Sequence, residues 1–372
     1  MKVLITGGAG FIGTKLAQRL IADDHSVILV DSLSPQIHGD IPDYRPPEGA
    51  TFKRLDVRQL AERTDLLEGT DVVYHLAAET GTAQSMYQIA EYVDVNGMGT
   101  AALLEALAKL QKRPARVILA SSRSIYGEGA YEAPSRPGQL IHPRGRTREQ
   151  LAAGNWDFSE NGEILQAVAT PEHFAAKPSS VYAATKMAQE LLLTSSCESL
   201  GITPVLLRFQ NVYGEGQSLR NPYTGVISIF FNRARQGLEI NVYEDGKESR
   251  DFVHVEDIVS ALVLVMKADV APGSCYNVGS GMPTSLLELA NTLVSASGTT
   301  APIRISGDYR LGDIRHCFAD ISAIRRDLGF QPVVDLNAGL QRFVTWAKSQ
   351  PEYQDLSDKA AAELRERGLA KV

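Results

Sequence analysis

A short apolar strand runs into a glycine-rich loop at the start of the chain. The apolar run at 1–6 is followed by Gly7, Gly10 and Gly13, and an amphipathic segment then covers 13–23. Glycine at these positions lets the backbone turn tightly and approach a pyrophosphate, while the helix that follows supplies amide donors and the positive end of its dipole. The spacing is a weak signal alone, but between a strand and a helix it predicts a dinucleotide site.

Short β-branched runs alternate with longer amphipathic segments through the first half of the chain. Strands are predicted at 1–6, Ser26–Asp31, 72–76, 116–121 and 204–209, and helices at 13–23, 93–110 and from Tyr182 onward. Such alternation produces right-handed βαβ units and a sheet buried on both faces. The prediction is therefore an α/β fold with a Rossmann-type doubly wound parallel sheet.

The rhythm of strands and helices breaks twice, and the breaks define the expected domains. Residues 1–213 are predicted to form a dinucleotide-binding domain, in which the proline-containing stretch at 131–177 is an insertion or loop. A smaller mixed α/β substrate-binding domain is expected at 214–350, with a turn at 221–225 and with 252–270 returning to the first domain. Residues 351–372 are expected to be an exposed helical tail.

Composition and charge restrict the possible partners. The 372 residues carry a net charge of -7, which leaves no basic footprint for nucleic acid or an anionic membrane surface. No apolar run approaches the roughly 20 residues of a membrane helix, and the N-terminus does not resemble a signal peptide. Cys197, Cys275 and Cys317 are scattered, so neither disulfides nor a metal site are expected. We therefore expect a cytoplasmic protein with reduced cysteines.

Two aspartates at strand ends are candidate cofactor ligands. Asp31 ends the second strand 24 positions after Gly7, where a carboxylate can bind both ribose hydroxyls. It would repel a 2′-phosphate, and no arginine directly follows it, so NAD is favoured over NADP. The alternative is that Asp31 only caps the strand end. Asp56 ends the predicted third strand and is a candidate for the adenine amino group.

Tyr182 and Lys186 form the strongest candidate for catalysis. Four residues apart on a helix, a phenol and an ammonium lie on one face and can touch. A nearby cation is expected to lower a phenol pKa of roughly 10 towards neutrality. The phenolate would then remove a proton from an alcohol while a dinucleotide takes the hydride. The alternative is an exposed polar pair, since helices carry many such pairs.

Ordered motifs along the chain resemble those of one enzyme family. Over about 1–349 the chain resembles an extended short-chain dehydrogenase/reductase of the nucleotide-sugar epimerase/dehydratase family. The matching segments are 6–13, His-Leu-Ala-Ala at 75–78, Asn96, Ser-Ser-Arg-Ser-Ile-Tyr-Gly at 121–127, Tyr182 with Lys186, 208–214, 250–257 and 310–313.

The resemblance implies roles for further residues. Ser122 would position the sugar alcohol, and Lys186 would also bind the nicotinamide ribose. Arginine pairs with phosphate oxygens bidentately, although each arginine alone is more often a surface charge. The implied cofactor set is Gly7, Gly10, Phe11, Ile12, Gly13, Asp31, Asp56, Val57, Leu76, Ala77, Ala78, Tyr182 and Lys186. The implied substrate residues are Ser122, Ser124, Asn211, Arg250, Arg310 and Asp313. Of these, Arg250 and Arg310 would bind the pyrophosphate, and Asp313 would bind the nucleotide ribose.

The resemblance also separates possible reactions. The family's 4,6-dehydratases place Asp-Glu where this chain has Arg123 and Ser124, so 4-epimerisation of a nucleotide-diphosphate sugar with bound NAD is expected. The connection from Gly127 to Tyr182 is 55 positions long, and this long connection resembles the one in dTDP-L-rhamnose 4-epimerases. A UDP-glucose or UDP-N-acetylhexosamine 4-epimerase, a nucleotide-sugar 4-reductase and a non-catalytic dinucleotide sensor are the alternatives. Family members pair the 93–110 and 182–200 helices into a four-helix bundle, which implies a homodimer, and polysaccharide biosynthesis is the implied context.

Overall fold

The fold is taken from a computed structural model, which describes residues 1–40, 42–221, 225–353, 355, 357–368 and 370–371. The strands are β1 (Lys2–Thr6), β2 (Ser26–Asp31), β3 (Ala50–Arg54), β4 (Val72–His75), β5 (Arg116–Ser122), β6 (Ala130–Ala133), β7 (Arg136–Ile141), β8 (Ser159–Glu160), β9 (Glu163–Ile164), β10 (Gln166–Val168), β11 (Thr203–Phe209), β12 (Asn211–Tyr213), β13 (Ile240–Val242), β14 (Ser249–His254), β15 (Ser274–Val278), β16 (Pro283–Ser285), β17 (Ile303–Ile305), β18 (Tyr309–Arg310), β19 (His316–Cys317) and β20 (Ala370–Lys371).

The helices connect these strands. They are α1 (Phe11–Ala22), α2 (Pro35–His38), α3 (Thr82–Ser85), α4 (Ile89–Tyr92), α5 (Gly99–Lys109), α6 (Arg148–Ala152), α7 (Val181–Leu200), α8 (Val226–Arg235), α9 (Val255–Lys267), α10 (Leu286–Ser297), α11 (Ser322–Leu328), α12 (Leu336–Lys348) and α13 (Ser357–Glu366). A π-helical stretch, Val93–Met98, joins α4 to α5, and 3₁₀ turns cover Val57–Glu62, Thr64–Leu66 and Arg123–Tyr126.

A seven-stranded parallel sheet forms the centre of the molecule. Its strand order is β15-β11-β5-β4-β1-β2-β3, so the direction in which successive strands are added reverses between β1 and β4. Successive residues of β1 enter opposite layers: Val3 and Ile5 pack with α1 and α9, whereas Leu4 packs with α5 and α7. Helices thus cover both faces, which confirms the predicted Rossmann-type fold. In such sheets a ligand binds beyond the carboxyl ends of the strands, at the point of reversal.

The second half of the chain builds a smaller mixed α/β unit beside that edge. Its core joins Phe230 and Phe231 of α8 to Leu289 of α10 and Phe343 of α12, all of which are buried. Residues 255–278 do not belong to this core, because α9 packs on α1 and β15 pairs with β11 in the central sheet. The second half therefore contributes both to the small unit and to the sheet.

The segment at 131–177, predicted to be an insertion or loop, folds into short strands and one short helix. Strands β6, β7 and β10 form a small antiparallel sheet, with a core of its own around Tyr131 and Phe158. Arg146 then ties this sheet to the small unit through an ion pair with Glu244 at 2.6 Å, and both side chains are only 3% exposed. Strands of two to six residues bury few apolar side chains, so they leave little periodicity in the sequence.

The described part of the C-terminal tail crosses back over the molecule. Helix α13 is followed by β20, which pairs with β18. The Arg233 guanidinium donates to Asp355 at 2.8 Å, and the Arg367 guanidinium lies 4.3 Å from the centre of the Tyr87 ring. The tail thus contacts both halves of the chain. Positions 222–224 of the predicted turn lie outside the described residues, and none of the helices that are described has the length and apolar character to cross a membrane.

Candidate active site

A cavity of about 660 Å³ lies between the central sheet and the small unit. Ser122 and Tyr182 line it from the sheet side, and Asn211, Arg310 and Asp313 line it from the other side. This volume is typical of sites that enclose a small organic ligand. The structure therefore brings together, in one cavity, residues that are far apart in the sequence.

The glycine-rich loop forms a cradle in which side chains have no room. A Cβ on Gly13 would lie 2.4 Å from the Gly7 carbonyl oxygen, and a Cβ on Gly7 would lie 2.8 Å from the Ala77 amide nitrogen. Helix α1 begins at Phe11 with Gly10 as its N-cap and without a side-chain cap, so its first amides remain available. Ile12 packs into the core. The cradle fits a dinucleotide diphosphate, which needs both backbone proximity and amide donors.

The strand-end aspartate is held rigidly beside this cradle. The Asp31 carboxylate accepts hydrogen bonds from the Ala9 amide at 3.0 Å and from the Leu33 amide at 2.8 Å. Its free lone pairs can still accept from ribose hydroxyls. The sequence did not indicate one neighbour of Asp31. Arg54, on the adjacent strand, donates to the Ser32 carbonyl at 3.4 Å. A cation therefore does lie near the ribose position, although the aspartate is closer to the cradle.

Asp56 has a local partner. Its carboxylate caps the 3₁₀ turn by accepting from the Arg58 amide at 2.9 Å, and it accepts from the Arg58 guanidinium at 2.7 Å. The hydrogen bonds from Arg58 outweigh burial and lower the pKa of Asp56. Val57 is buried against Gly99. The contact of Asp56 with adenine thus stays a prediction.

The stretch after β4 lines the other side of the cradle. Leu76 donates its amide to the Thr6 carbonyl at 3.1 Å, and Ala77 donates its amide to the Thr6 hydroxyl at 3.2 Å. These bonds fix the backbone of Leu76, Ala77 and Ala78 next to Gly7. The predicted cofactor residues of this motif therefore adjoin the glycine-rich loop.

The candidate catalytic residues sit at the start of α7 and the end of β5. Tyr182 lies in the first turn of α7, which Ser180 caps by accepting from the Ala183 amide at 3.1 Å. A side-chain hydrogen bond joins Tyr182 to Ser122. Burial raises the pKa of Tyr182, while the Ser122 hydrogen bond and the charge of Arg123 oppose that rise. The lowering expected from the sequence is not found, because burial of the ring dominates.

Lys186 makes a contact that the sequence did not suggest. Its ammonium donates to Gln189 Oε1 at 2.8 Å, and burial lowers the pKa of Lys186 to about 7. Gln189 in turn donates to the Thr100 hydroxyl at 2.8 Å, and His75 joins the Thr6 and Thr100 hydroxyls at 2.8 and 2.9 Å. A buried polar network thus runs from Lys186 to the strand before the glycine-rich loop. The His-Leu-Ala-Ala motif was the only sequence signal for it.

All predicted substrate residues but one line the cavity: Ser122, Ser124, Asn211, Arg310 and Asp313. Arg250 is buried outside this lining, and its guanidinium donates to the Ser249, Ile314 and Arg315 carbonyls. Arg250 Nη2 donates to Asp313 Oδ1 at 3.2 Å, and the Arg310 guanidinium lies 4.9 Å from the centre of the Tyr243 ring. Burial opposes ionisation of Asp313, but Arg250 and Arg310 outweigh it, so the pKa of Asp313 is lowered. Of the two predicted arginines, Arg310 is the one that lines the cavity, and its Nε has no partner among the described residues, so it suits a diphosphate.

Several polar atoms at the cavity are buried without a partner among the described residues. They include predicted residues and others that the sequence did not indicate: Ser124 Oγ, Asn211 Oδ1, Arg310 Nε, both amide atoms of Gln210, Gln217 Oε1, Asn241 Oδ1 and Glu248 Oε2. Burial raises the pKa of Glu248 to about 7. Because unpaired buried polar groups are costly, their concentration here indicates a polar ligand. Of the residues that were not predicted, only Gln210, next to Asn211 in a matching motif, could have been suspected.

Other features of the site concern metals and the C-terminal tail. Within the described ranges, His, Cys, Asp and Glu side chains do not gather in groups of three or more that could hold a metal ion. Asp358 and Arg365, both on α13, help to line the cavity. The tail therefore forms part of the cavity wall.

Comparisons with known proteins agree with this geometry. The model of the NAD dependent epimerase/dehydratase family matches residues 3–148 and 159–279. The dTDP-L-rhamnose 4-epimerase of Burkholderia thailandensis is 37% identical over 350 residues, which cover 93% of this chain and 94% of the relative.

Two solved structures show the same fold. UDP-glucose 4-epimerase of Thermotoga maritima, with UDP-glucose, superposes with a TM-score of 0.75 at 27% identity, over 94% of this chain and 99% of the other. UDP-glucuronic acid 4-epimerase of Bacillus cereus, with UDP-glucuronic acid and NAD, also gives 0.75, at 26% identity and the same coverage. The chain therefore belongs to the NAD-dependent epimerase/dehydratase family, and the fold, the enzyme class and the NAD cofactor expected from its sequence are confirmed.

Proposed function

We propose that this protein is a nucleotide-sugar 4-epimerase that acts on dTDP-L-rhamnose. The observation that carries the reaction type is that Ser122 and Tyr182 line one cavity beside the glycine-rich cradle, with Lys186 buried one helical turn further along α7. These groups can move one proton to and from a sugar hydroxyl. Arg310, which lines the same cavity, provides a separate place for the diphosphate.

Different residues of the chain have separate roles in the proposed reaction. Tyr182 removes the proton from the sugar 4-hydroxyl, and Ser122 hydrogen-bonds the same oxygen. NAD, which the glycine-rich cradle and Asp31 would hold, would supply the hydride chemistry for oxidation and reduction at the sugar C4. Lys186, one helical turn further along α7, would bind the nicotinamide ribose. Arg310 holds the diphosphate and Arg250 orients Asp313, so the sugar can turn while its nucleotide stays bound.

The geometry favours epimerisation over 4,6-dehydration. Elimination needs a further acid and base beside the sugar, and the positions after Ser122 carry Arg123 and Ser124 instead. A single proton-transferring hydroxyl suits oxidation and reduction at one carbon. Net reduction by a 4-reductase would require an exchangeable reduced cofactor, usually NADPH, which the Asp31 carboxylate disfavours.

The assignment of the sugar is based on the similarity to the B. thailandensis enzyme and on the folded 131–177 segment. That segment is tied to the small unit through Arg146 and Glu244, so it shapes the side of the molecule that carries Asp313. UDP-glucose and UDP-N-acetylhexosamine remain the alternative sugars, because the chemistry would be identical. A non-catalytic dinucleotide sensor is disfavoured by the complete set of Ser122, Tyr182 and Lys186.

We further propose that the protein is a cytoplasmic homodimer. Ile89, Val93 and Met98 are 52%, 49% and 59% exposed, and Leu191 and Leu192 of α7 are 59% and 39% exposed. Helix α7 packs beside α5 and the π-helical stretch, so these apolar groups share one side of the molecule. Leu193, the next residue of α7, is fully buried in the core.

The substrate is tested by NMR on the purified protein without added cofactor. Incubation with dTDP-L-rhamnose, and separately with UDP-glucose, is followed through the configuration at the sugar C4. Conversion of the first alone supports the proposal, whereas conversion of UDP-glucose alone keeps the reaction and replaces the sugar. If neither reacts until NAD or NADPH is added, the outcome will separate epimerase from reductase.

The reaction type is tested with Tyr182→Phe. The variant loses the acid/base hydroxyl with little change in volume, so epimerisation is expected to fall by about 100-fold or more. Tyr276→Phe is the matched control, because Tyr276 lies outside the cavity lining and its hydroxyl donates to Asp327 at 3.4 Å. Activity of Tyr182→Phe within a few-fold of the unmodified protein would contradict the mechanism.

A further inference from the structure

Arg123 is a cavity residue for which the chemistry above has no role. It directly follows Ser122 and opens the 3₁₀ turn that ends β5. Its side chain lines the cavity together with Ser122, Tyr182 and Asp313. The charge of Arg123 acts on Tyr182 and interacts with that of Asp313, so the guanidinium lies near the proposed reacting hydroxyl.

Among the described residues, the side chain that acts most strongly on the charge of Arg123 is the Cys317 thiol, whose strand pairs with the strand of Arg250. Burial raises the pKa of Cys317, so this sulfur is a neutral thiol at pH 7 and a weak acceptor. The Asp313 carboxylate forms its ion pair with Arg250, at 3.2 Å. The five donors of the Arg123 guanidinium therefore have no carboxylate partner of their own among the described residues.

Burial of such a charge is unfavourable unless oxygen acceptors reach it. Burial lowers the pKa of Arg123, which reflects this cost, and the charge of Arg123 also acts on Tyr182. The missing acceptors must come from the cavity. Because Arg123 adjoins Ser122 along the chain, these acceptors belong to the part of the ligand that reacts.

We propose that Arg123 binds the sugar of the substrate by donating hydrogen bonds to the hydroxyl groups beside the reacting C4. Arg310, elsewhere on the cavity lining, keeps the diphosphate. Arg123 would therefore discriminate sugars by their oxygen pattern, and its charge would stabilise the oxygen from which Tyr182 takes the proton. This role rests on the proposed epimerase function.

The test separates sugar binding from diphosphate binding. Arg123→Met keeps the length of the side chain but removes its donors, and it is placed in the Tyr182→Phe background so that bound sugar is not converted. Calorimetry then gives the Kd of dTDP and of dTDP-L-rhamnose. We expect the Kd of dTDP-L-rhamnose to rise about tenfold or more, as for loss of a charged hydrogen bond, and that of dTDP to change by less than about threefold.

Two results of this binding experiment would contradict the proposal. Equal weakening of both ligands would place Arg123 at the diphosphate, and unchanged binding of both would remove it from the site; either overturns the proposal. Arg123→Lys keeps the charge without the planar fork and is expected to recover only part of the affinity. NAD content and the thermal midpoint report whether each variant is folded. If the unmodified protein binds UDP-glucose but not dTDP-L-rhamnose, the same comparison is made with UDP and UDP-glucose. If the unmodified protein converts no sugar, the epimerase function itself is rejected.

Discussion

The Lys186 ammonium donates a hydrogen bond to Gln189 Oε1 at 2.8 Å, three residues further along the same helix. Gln189 is fully buried and also donates to the Thr100 hydroxyl. The amide thus holds the cation of the active site in place and links it to the central sheet. Burial lowers the pKa of Lys186, and the nearby Glu190 carboxylate opposes that lowering.

Replacement of Gln189 by Leu is expected to reduce both activity and stability. The variant leaves the Lys186 ammonium without this acceptor, which should destabilise the protein by about 1–3 kcal/mol and lower kcat by about tenfold or more. Thermal unfolding and steady-state kinetics measure the two effects. Gln189→Glu keeps an acceptor and is expected to shift the pH profile of kcat by raising the Lys186 pKa. An unchanged profile would show that Gln189 only fills space.

A methyl group in the glycine-rich cradle is expected to expel the cofactor. In Gly13→Ala the new Cβ would meet the Gly7 carbonyl oxygen at 2.4 Å, so the loop must shift away from the position that fits a diphosphate. The purified variant should carry much less NAD, measured after release by denaturation. Gly145→Ala is the matched control, since a Cβ there meets no atom within 4 Å. Equal NAD in both variants would contradict the assignment of the cradle.

Charged residues on the proposed dimer surface are expected to yield a monomer. The double substitution Leu191→Lys and Leu192→Lys removes exposed apolar groups of α7 and introduces repulsion across a two-fold axis. Light scattering coupled to size exclusion measures the mass of the particle. Val333→Lys, at a site 78% exposed elsewhere, should leave the mass unchanged. If the unmodified protein is already a monomer, the dimer proposal fails.

The pH dependence of stability should change when Glu128 is replaced by Gln. Burial raises the pKa of Glu128 from 4.5 to about 7, so the folded protein keeps a proton here that the unfolded chain releases. Its stabilising effect is complete below pH 4.5 and is lost as the pH rises through 7. Gln lacks this titration, so the thermal midpoint of Glu128→Gln relative to the unmodified protein should rise by roughly 2–4 °C between about pH 5 and 8. A constant or falling difference would contradict the raised pKa.

Removal of the C-terminal tail is expected to open the cavity. A chain ending at 350 lacks Asp358 and Arg365, which line the cavity, and loses the contacts of Asp355 with Arg233 and of Arg367 with Tyr87. KM should therefore rise several-fold and substrate should dissociate faster, as stopped-flow measurements can show. Arg233→Met should shift both quantities in the same direction by breaking one anchor. Unchanged KM in both proteins would mean that the tail is not part of the working site.

Local patterns predicted the central part of the molecule well. The alternation of apolar runs and amphipathic segments led to the parallel sheet, and strand β1, the loop and helix α1 follow one another as Gly7, Gly10 and Gly13 indicated. These features depend on neighbours within a few residues, whose spacing is visible in the chain. Irregular segments were less visible, and 131–177 folds through short strands and long-range ion pairs.

The sequence alone determined the type of fold and indicated Tyr182 with Lys186, because the glycine loop and this pair are recognised by spacings of a few residues, whereas Ser122 followed from the resemblance to the family. Tertiary structure decided their surroundings. It placed Arg54 near Asp31, paired Lys186 with Gln189 and brought Arg123 to the cavity lining. It also made burial, rather than the Lys186 charge, the dominant influence on the Tyr182 pKa. Desolvation and contacts between distant segments depend on how the chain packs, and spacing along the sequence does not encode them.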